Sequence, residues 1–171
     1  INSAIDDAAG LQISQRQEAE IRGFKQATKN VADTQALLAT AEGAMGEITN
    51  ILQRMRELAV QSASGTMSTA DRTALQSEVE ALETEIDRIK DDTTWAGKSL
   101  LNASENTDGS FVFHVGPDAS DTTRHTRPTF VQTGTAIGLA STETVSTQAK
   151  ARAYITAIDQ ALSNVSVERE Q

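Results

Sequence analysis

A repeating pattern of apolar and small residues over residues 31–64 limits the possible folds of this chain more than any other feature. The stretch reads VADTQALLATAEGAMGEITNILQRMRELAVQSAS. Steps of three and four keep side chains on one side of an α-helix. The positions of this seam are Val31, Thr34, Leu38, Ala41, Met45, Ile48, Leu52, Met55, Ala59 and Ser62. A second row, spaced by seven, widens the apolar face and predicts more than one neighbouring helix: Leu37, Ala44, Ile51 and Leu58.

The first helix is predicted to be long, over residues 1–64. No proline occurs between Ala8 and Ser64, and the glycines there stand singly in otherwise helical sequence. If about 50 of these residues are helical at ~1.5 Å each, the helix is about 75 Å long. A compact globule of this chain length is only about 40 Å across. The sequence therefore predicts an elongated molecule, with a possible irregularity near Gly23.

Two further helices show the same three-and-four spacing. Ser68 and Asp71 have the spacing of a capping box, with Asp in place of the usual Glu, and predict a helix over residues 68–91. A third helix is predicted over 146–171. The apolar series are Leu75, Val79, Leu82, Ile86 and Ile89 in the second helix, and Ala151, Ile155, Ile158, Leu162 and Val165 in the third. The predicted fold class is mainly α: an elongated antiparallel bundle or coiled coil of three main helices, in one domain over 1–171.

Residues 92–145 interrupt the helical pattern and predict a turn, a small β-hairpin and a connector. Phe111, Phe113 and Val115 alternate with other residues at a period of two, which is typical of a strand. After the turn signal Gly116-Pro117-Asp118, a weaker strand is predicted from Arg124 to Val131, interrupted by Pro128. The connector runs from Gly134 to Thr144.

Composition excludes several classes of function. The sequence has 15 Lys and Arg against 24 Asp and Glu, a net charge of −9, which disfavours binding to nucleic acid or to an anionic membrane. It has no cysteine, so disulfides and thiolate chemistry are absent. No apolar run approaches the roughly 20 residues that span a bilayer. We therefore expect no nucleic-acid partner and no membrane insertion.

No catalytic or metal-binding constellation is evident. His114 and His125 have neither zinc-ligand spacing nor a nearby nucleophile, and hairpin-surface histidines are the better interpretation. The acidic pairs Asp6-Asp7 and Asp91-Asp92 lack calcium-loop spacing, and Asp118 with Asp121 indicates a turn. Met45 and Met55 lie on the seam and are predicted to fill the core. The chain is predicted to be a non-enzyme without cofactors.

Several local strings, read together, resemble bacterial flagellin. They are Ile1-Asn-Ser-Ala-Ile-Asp-Asp-Ala-Ala-Gly-Leu11, Ala41-Glu-Gly-Ala-Met45, Leu52-Gln-Arg-Met-Arg-Glu-Leu-Ala-Val-Gln61, Glu85-Ile-Asp-Arg88, Trp95-Ala-Gly-Lys-Ser-Leu-Leu101, His114-Val-Gly116 and Ala157-Ile-Asp-Gln-Ala-Leu162. They cover nearly the whole chain in order. The resemblance implies the helical D1 core of flagellin and a structural subunit of the flagellar filament, outside the cell, secreted without a cleaved signal peptide. It also implies that the family's terminal inner-tube segments lie outside this sequence and that residues 133–144 are too short for a large outer domain.

The resemblance assigns a second role to the charged flank of the long helix. The family is recognised by the innate immune receptor Toll-like receptor 5, and its receptor motif falls on Arg54, Leu58 and Glu78 of this sequence. The same three residues are alternatively expected to pack between subunits. The implied partners are other flagellin subunits, hook-associated proteins and that receptor.

Two alternatives remain at the level of the sequence. One is a hook-filament junction protein with the same core design, although the string from Leu52 to Gln61 favours flagellin. The other is a flagellin-like cell-surface module that binds a polysaccharide or a host receptor. A carbohydrate site usually needs exposed aromatic side chains with polar neighbours, and Trp95 and Tyr154 are the only tryptophan and tyrosine of the sequence.

Overall fold

The computed structural model describes residues 8–101, 110–126 and 144–169, and the structural statements below concern these residues. In chain order the elements are α1 (Ala8–Ser62), α2 (Thr69–Asp92), β1 (Thr94–Trp95), β2 (Lys98–Ser99), β3 (Ser110–His114), β4 (Thr122–Thr126) and α3 (Gln148–Arg169). The predicted fold class is confirmed as mainly helical, with three main helices and a small hairpin. The acidic pair Asp6-Asp7, Pro128 and most of the predicted connector lie outside the described residues.

Helix α1 is continuous through Gly23, and its apolar seam is buried from Ala41 onwards. The buried side chains of α1 are Ala27, Thr34, Leu37, Ala41, Met45, Ile48, Leu52, Met55, Leu58, Ala59 and Ser62. The prediction was wrong at Val31 and Leu38, which are 36% and 38% exposed. Successive residues of a helix are turned by about 100°, so Leu37 and Leu38 lie on either side of the apolar face and only one of them can point to its centre. The buried position there is Leu37.

Helix α2 begins at the predicted capping box. The Ser68 hydroxyl accepts a hydrogen bond from the Asp71 backbone N–H, and the Asp71 carboxylate accepts one from the Ser68 N–H at 3.0 Å. These two bonds satisfy donors that the first helical turn leaves without partners. Val79 and Ile86 are buried, whereas Leu75, Leu82 and Ile89 are partly exposed.

Helix α3 runs antiparallel to α1. Near its beginning the Gln148 side chain donates to the carbonyl of Ala63, and at its end Arg169 pairs with Glu42. The buried series of α3 is Ala151, Tyr154, Ile158, Ala161 and Val165. The predicted positions Ile155 and Leu162 are only partly buried, because the helix turns Tyr154 and Ala161 to the centre of the inner face.

A two-residue hairpin that the sequence analysis did not predict follows α2. Strands β1 and β2 pair antiparallel, with Thr94 opposite Ser99 and Trp95 opposite Lys98. Ala96 and Gly97 form the turn with φ of 49° and 78°. A turn with positive φ at both central residues matches the twist of a tight hairpin. The hairpin leads into Leu100 and Leu101, which are fully buried.

We expect Ala96→Asn to raise the free energy of unfolding by about 0.5–1 kcal/mol. Ala96 lies in the left-handed region, which asparagine tolerates better than alanine. Gly97→Ala is the matched opposite change and should lower the free energy of unfolding by a similar amount. Urea unfolding of the two variants checks this, and equal stability of both would contradict it.

Strands β3 and β4 pair with each other and form the second two-stranded sheet. The connection between them is short, so the two strands are antiparallel. The Val115 N–H donates to the Asp121 carbonyl at 2.8 Å, next to the predicted turn at Asp118. The strand β4 begins at Thr122, two residues earlier than predicted. The Asn30 side chain donates to the His114 carbonyl at 2.9 Å and ties this hairpin to α1. A Cβ at Gly23 would lie 2.8 Å from Pro117, so a glycine is needed at this approach.

The chain divides into two compact units. The first contains residues up to Leu38 together with Ser110–His125, and the second contains Ala39–Gly109 and the residues from Thr126 onwards. The core of the second unit is built by the buried faces of the three helices, with Leu100, Leu101 and Val145. The predicted single elongated domain stays a prediction.

Candidate functional site

Arg54 and Glu78, two of the three residues that the resemblance points to, are in direct contact. The guanidinium of Arg54 on α1 donates through Nη2 and Nε to one carboxylate oxygen of Glu78 on α2, at 2.8 and 3.2 Å. Its Nη1 donates to Glu57 at 2.9 Å. The Arg54 and Glu78 side chains are 51% and 45% exposed. We call Arg54, Glu57 and Glu78 the Arg54 cluster.

The Arg54 cluster keeps its charges and some of its donors available. The hydrogen bond to Glu78, and then that to Glu57, raise the pKa of Arg54, so the guanidinium is cationic at any physiological pH. Three of the five N–H donors of the guanidinium are used within the chain. The remaining two can donate to another molecule while the ion pairs persist.

Leu58, the third residue of the predicted site, lies in the core. Its side chain is 1% exposed, beside Met55 and Ala59 at 0%. The apolar contact of Leu58 with another molecule stays a prediction, and in the chain on its own this side chain is covered by its neighbours. Leu58 belongs to the second row of the helix, of which Leu37 and Leu58 are buried. As a core residue, Leu58 supports the Arg54 cluster by fixing the helix that carries it.

A second ion pair joins α1 to α3. The Nε of Arg56 donates to Asp159 at 2.7 Å, with both side chains about half exposed. Arg54 and Arg56 thus pair with different helices from opposite flanks of the α1 seam. Exposed pairs of this kind contribute about 0–1 kcal/mol each, so they orient the helices more than they stabilise them.

Tyr154 is not available as a carbohydrate-binding aromatic. Its side chain is fully buried, and its hydroxyl donates to Glu83 of α2 at 2.7 Å. Trp95, the other candidate, is only partly exposed. The polysaccharide alternative therefore loses the Tyr154 side chain on which it partly depended.

Burial raises the pKa of Glu83, the hydrogen bond from Tyr154 lowers it, and the nearby charges of Glu80 and Asp87 raise it further. The net direction is upward, so the folded state binds this proton more tightly than the unfolded chain does. The contribution of Glu83 to stability is then fully present below the unfolded-state pKa of about 4.3 and is lost as pH rises through the folded-state pKa.

We expect Glu83→Gln to be more stable than the wild type at pH 7 and to lose this advantage as the pH falls toward about 4. Glutamine keeps an oxygen that accepts the Tyr154 hydrogen bond without burying a charge. Urea unfolding of both proteins over this pH range measures the difference. A difference that does not vary with pH would contradict the assignment. Glu47→Gln serves as the control, because Glu47 is an exposed carboxylate on α1 that is not among the charges acting on Glu83.

Among the described residues, the remaining candidates do not form a site. His114 contributes its backbone carbonyl to Asn30, and its side chain is exposed. Asp92 accepts a bond from Arg88, and Asp91 lies 3.8 Å from Lys90. Within the described ranges, no three side chains suited to bind a metal ion come together. No helix in that part of the chain has the length and apolarity to cross a membrane.

Arg72 is an important residue that the sequence pattern did not indicate. Its guanidinium donates to the carbonyls of Ser62, Ser64 and Met67 at 2.9, 2.7 and 2.6 Å. These carbonyls lie at the end of α1 and in the loop to α2. One side chain thus closes the connection between the two helices.

The segment before α3 is hydrogen-bonded to the end of α1 and to α2, close to the same connection. The buried Ser62 hydroxyl donates to the Val145 carbonyl, and the Val145 N–H donates to the Gln76 side chain at 2.7 Å. Side-chain bonds to distant backbone atoms carry no periodic signature, which is why the sequence pattern missed them.

The fold and the Arg54 cluster define a helical-bundle protein in which several exposed ion pairs join one helix to another. The family model of the bacterial flagellin N-terminal helical region matches residues 1–106. Flagellin B of Vibrio cholerae is 51% identical over 121 residues, which are 71% of this chain and 31% of that protein. B-type flagellin of Pseudomonas aeruginosa is 53% identical over 122 residues, 71% of this chain and 24% of that protein. The chain belongs to the bacterial flagellin family, and it spans about a third or less of the length of these curated relatives.

Two solved structures have a similar fold. The crystal structure of Bacillus cereus flagellin is 30% identical, with a TM-score of 0.72, over 83% of this chain and 79% of that chain. The structure of a flagellar hook-associated protein from Vibrio parahaemolyticus has a TM-score of 0.71 over 98% of this chain and 87% of that chain, at 18% identity. The second likeness concerns the fold alone.

Proposed function

We propose that this chain is part of a structural subunit of the bacterial flagellar filament, which self-assembles by helical packing and serves motility outside the cell. The single observation that carries the proposal is family membership over residues 1–106, with 51–53% identity to flagellins. The three-helix core is consistent with a role in packing rather than catalysis. We further propose that the subunit is secreted without a cleaved signal peptide and has no enzymatic activity.

Polymerisation of the complete product of the gene that encodes this sequence tests the proposal. At high protein concentration and high salt, electron microscopy should show filaments. The control is Ile48→Asp, which places a charge at a fully buried position and should abolish both helix content and assembly. A well-folded wild-type protein that stays monomeric under these conditions would contradict the proposal.

A hook-filament junction protein is the alternative that the fold alone permits, given the hook-associated structure above. The identity of about 50% to flagellins favours the filament subunit. Labelling with an antibody against this chain separates the two. A filament subunit should be labelled along the whole filament, and a junction protein only where hook and filament meet. Hook-associated proteins are in either case proposed as partners of the subunit.

We also propose that the free subunit is recognised by Toll-like receptor 5 through the Arg54 cluster. The support is that the family's receptor motif falls on Arg54 and Glu78, which are exposed and hydrogen-bonded to each other. A half-exposed arginine with two unused donors is suited to the centre of a protein interface. Assembly would compete with recognition if subunits pack through the same surface.

We expect Arg54→Ala to weaken receptor activation by the monomer about tenfold or more, while helix content stays unchanged. The matched control is Arg88→Ala, which also removes an exposed arginine with two carboxylate partners, Glu85 and Asp92. A receptor-dependent reporter cell assay measures the potency of each variant. Equal potency of the wild type and Arg54→Ala would contradict the assignment.

A further inference from the structure

An acidic side chain lies on the inner face of α2. Glu83 comes four residues after Val79 and three before Ile86, the two buried residues of this helix, so the three side chains share one face. Glu83 is partly buried there. A carboxylate at such a position loses part of its hydration when the helix packs against its neighbours. The position therefore favours a neutral carboxyl group over a charged one.

The hydrogen-bond partner of Glu83 is an uncharged group on another helix. Tyr154 of α3 is fully buried, and its hydroxyl donates to Oε1 of Glu83 at 2.7 Å. Both the carboxylate and the protonated carboxyl group have an oxygen that accepts this bond. The bond can therefore join α2 to α3 in either protonation state of Glu83.

The charges around Glu83 do not compensate its own charge. Glu80 and Asp87 lie one helical turn before and after it on α2, and like charges at this spacing repel. On α3, Asp159 is paired with Arg56 of α1. None of the lysines and arginines on the facing parts of the three helices is bonded to Glu83: Arg54 and Arg56 on α1, Arg88 and Lys90 on α2, and Lys150 and Arg152 on α3.

Two other carboxyl groups of α2 respond to pH in the opposite direction. The hydrogen bond from the Ser68 hydroxyl lowers the pKa of Asp71, and that from Arg88 lowers the pKa of Glu85, whereas burial raises the pKa of Glu83. As the pH falls from 7, Glu83 is thus protonated before the other two. The capping box and the pair of Glu85 with Arg88 are still intact at that stage, because their stability is lost only at lower pH.

We propose that the contact between Tyr154 and Glu83 is an acid-strengthened latch that holds α2 on α3. Protonation of Glu83 leaves the hydrogen bond from Tyr154 in place and removes a partly buried negative charge, together with its repulsion by Glu80 and Asp87. The middle of α2 therefore opens less often at mildly acidic pH than at neutral pH. The latch acts within one chain and does not depend on the proposed filament function.

Hydrogen exchange in the monomeric form of the complete gene product tests the latch. After correction for intrinsic exchange rates, peptides that cover residues 79–87 should open about twofold less often, or less, at pH 5 than at pH 7. Glu83→Gln keeps an oxygen for Tyr154 and should abolish this difference. Glu47→Gln, at an exposed carboxylate of α1, should leave it unchanged. The same slowing in Glu83→Gln as in the wild type would overturn the latch, because other groups would then be its cause.

An NMR titration of the side-chain carboxyl groups tests the origin of the effect. Glu83 should titrate at a higher pH than the exposed Glu47, and coincident titrations would overturn the latch. Glu80→Gln should lower the titration midpoint of Glu83, because a repelling charge is removed. Tyr154→Phe keeps the buried ring but removes the hydroxyl. It should raise that midpoint, because the hydrogen bond favours the charged form, and it should increase the opening of α2 at both pH values.

Discussion

Leu58→Ala is expected to lower the free energy of unfolding by about 2–5 kcal/mol. Leu58 is 1% exposed, and its neighbours Met55 and Ala59 on α1 are fully buried, so truncation leaves a cavity that the core cannot fill easily. Urea unfolding followed by circular dichroism measures the loss. A change of less than about 0.5 kcal/mol, the range of ordinary surface substitutions, would show that Leu58 is not a core residue in solution.

Leu58→Met provides the control for this prediction. Methionine nearly conserves the volume, so the loss should stay below about 1.5 kcal/mol. The comparison also bears on receptor recognition, since a destabilised Leu58→Ala protein would signal weakly for reasons unrelated to contact. If Leu58→Ala signals weakly and Leu58→Met signals normally, the lower stability of the Leu58→Ala protein explains the difference. Arg54→Ala, at an exposed position, does not have this ambiguity.

The heptad pattern predicted the core of α1 well wherever apolar positions were unambiguous. From Ala41 to Ser62 every seam residue is buried. In the second row Leu37 and Leu58 are buried, whereas Ala44 and Ile51 are partly exposed. The predicted burial of Val31 and Leu38 was wrong because two adjacent residues can lie at the edges of one helical face. Which of the two is buried depends on neighbours distant in sequence. The same ambiguity led to Ile155 and Leu162 in place of Tyr154 and Ala161.

The spacing of apolar residues does not predict features that depend on backbone dihedral angles or on hydrogen-bond partners distant in sequence. The hairpin at Ala96-Gly97 has only two residues per strand, too few to show a period of two. The hydrogen bond from Tyr154 to Glu83 joins residues 71 positions apart. The role of Arg72 could not be predicted, because nothing in its local sequence shows which carbonyls it reaches.

The candidate surface was predicted only in part, for a related reason. The resemblance placed Arg54, Leu58 and Glu78 together, and the structure joins Arg54 to Glu78 but turns Leu58 inward. A motif records which residue types occur together and does not separate those that contact a partner from those that hold the helix.

Arg72→Ala should lower the free energy of unfolding by about 3 kcal/mol. The last carbonyls of a helix lack internal donors, and α1 has no basic residue of its own in its last turn. Arg72 supplies the donors from α2, to Ser62, Ser64 and Met67. Without it, partly buried carbonyls lose charged partners, and each such hydrogen bond contributes about 1.5–3 kcal/mol. The total loss is smaller than the sum of the three contributions, because water can reach the connection between α1 and α2.

Arg72→Lys and Arg88→Ala separate the effect of hydrogen-bond geometry from that of charge. Lysine keeps the charge but cannot reproduce the planar fork of donors, so Arg72→Lys should lose more than half of the stability that Arg72→Ala loses. Arg88→Ala removes exposed ion pairs and should lower the free energy of unfolding by less than about 1 kcal/mol. Full stability of Arg72→Lys would mean that the charge near the end of α1 matters more than the three directed hydrogen bonds. A large loss, by contrast, would show that the turn joining α1 to α2 is held by the shape of one guanidinium.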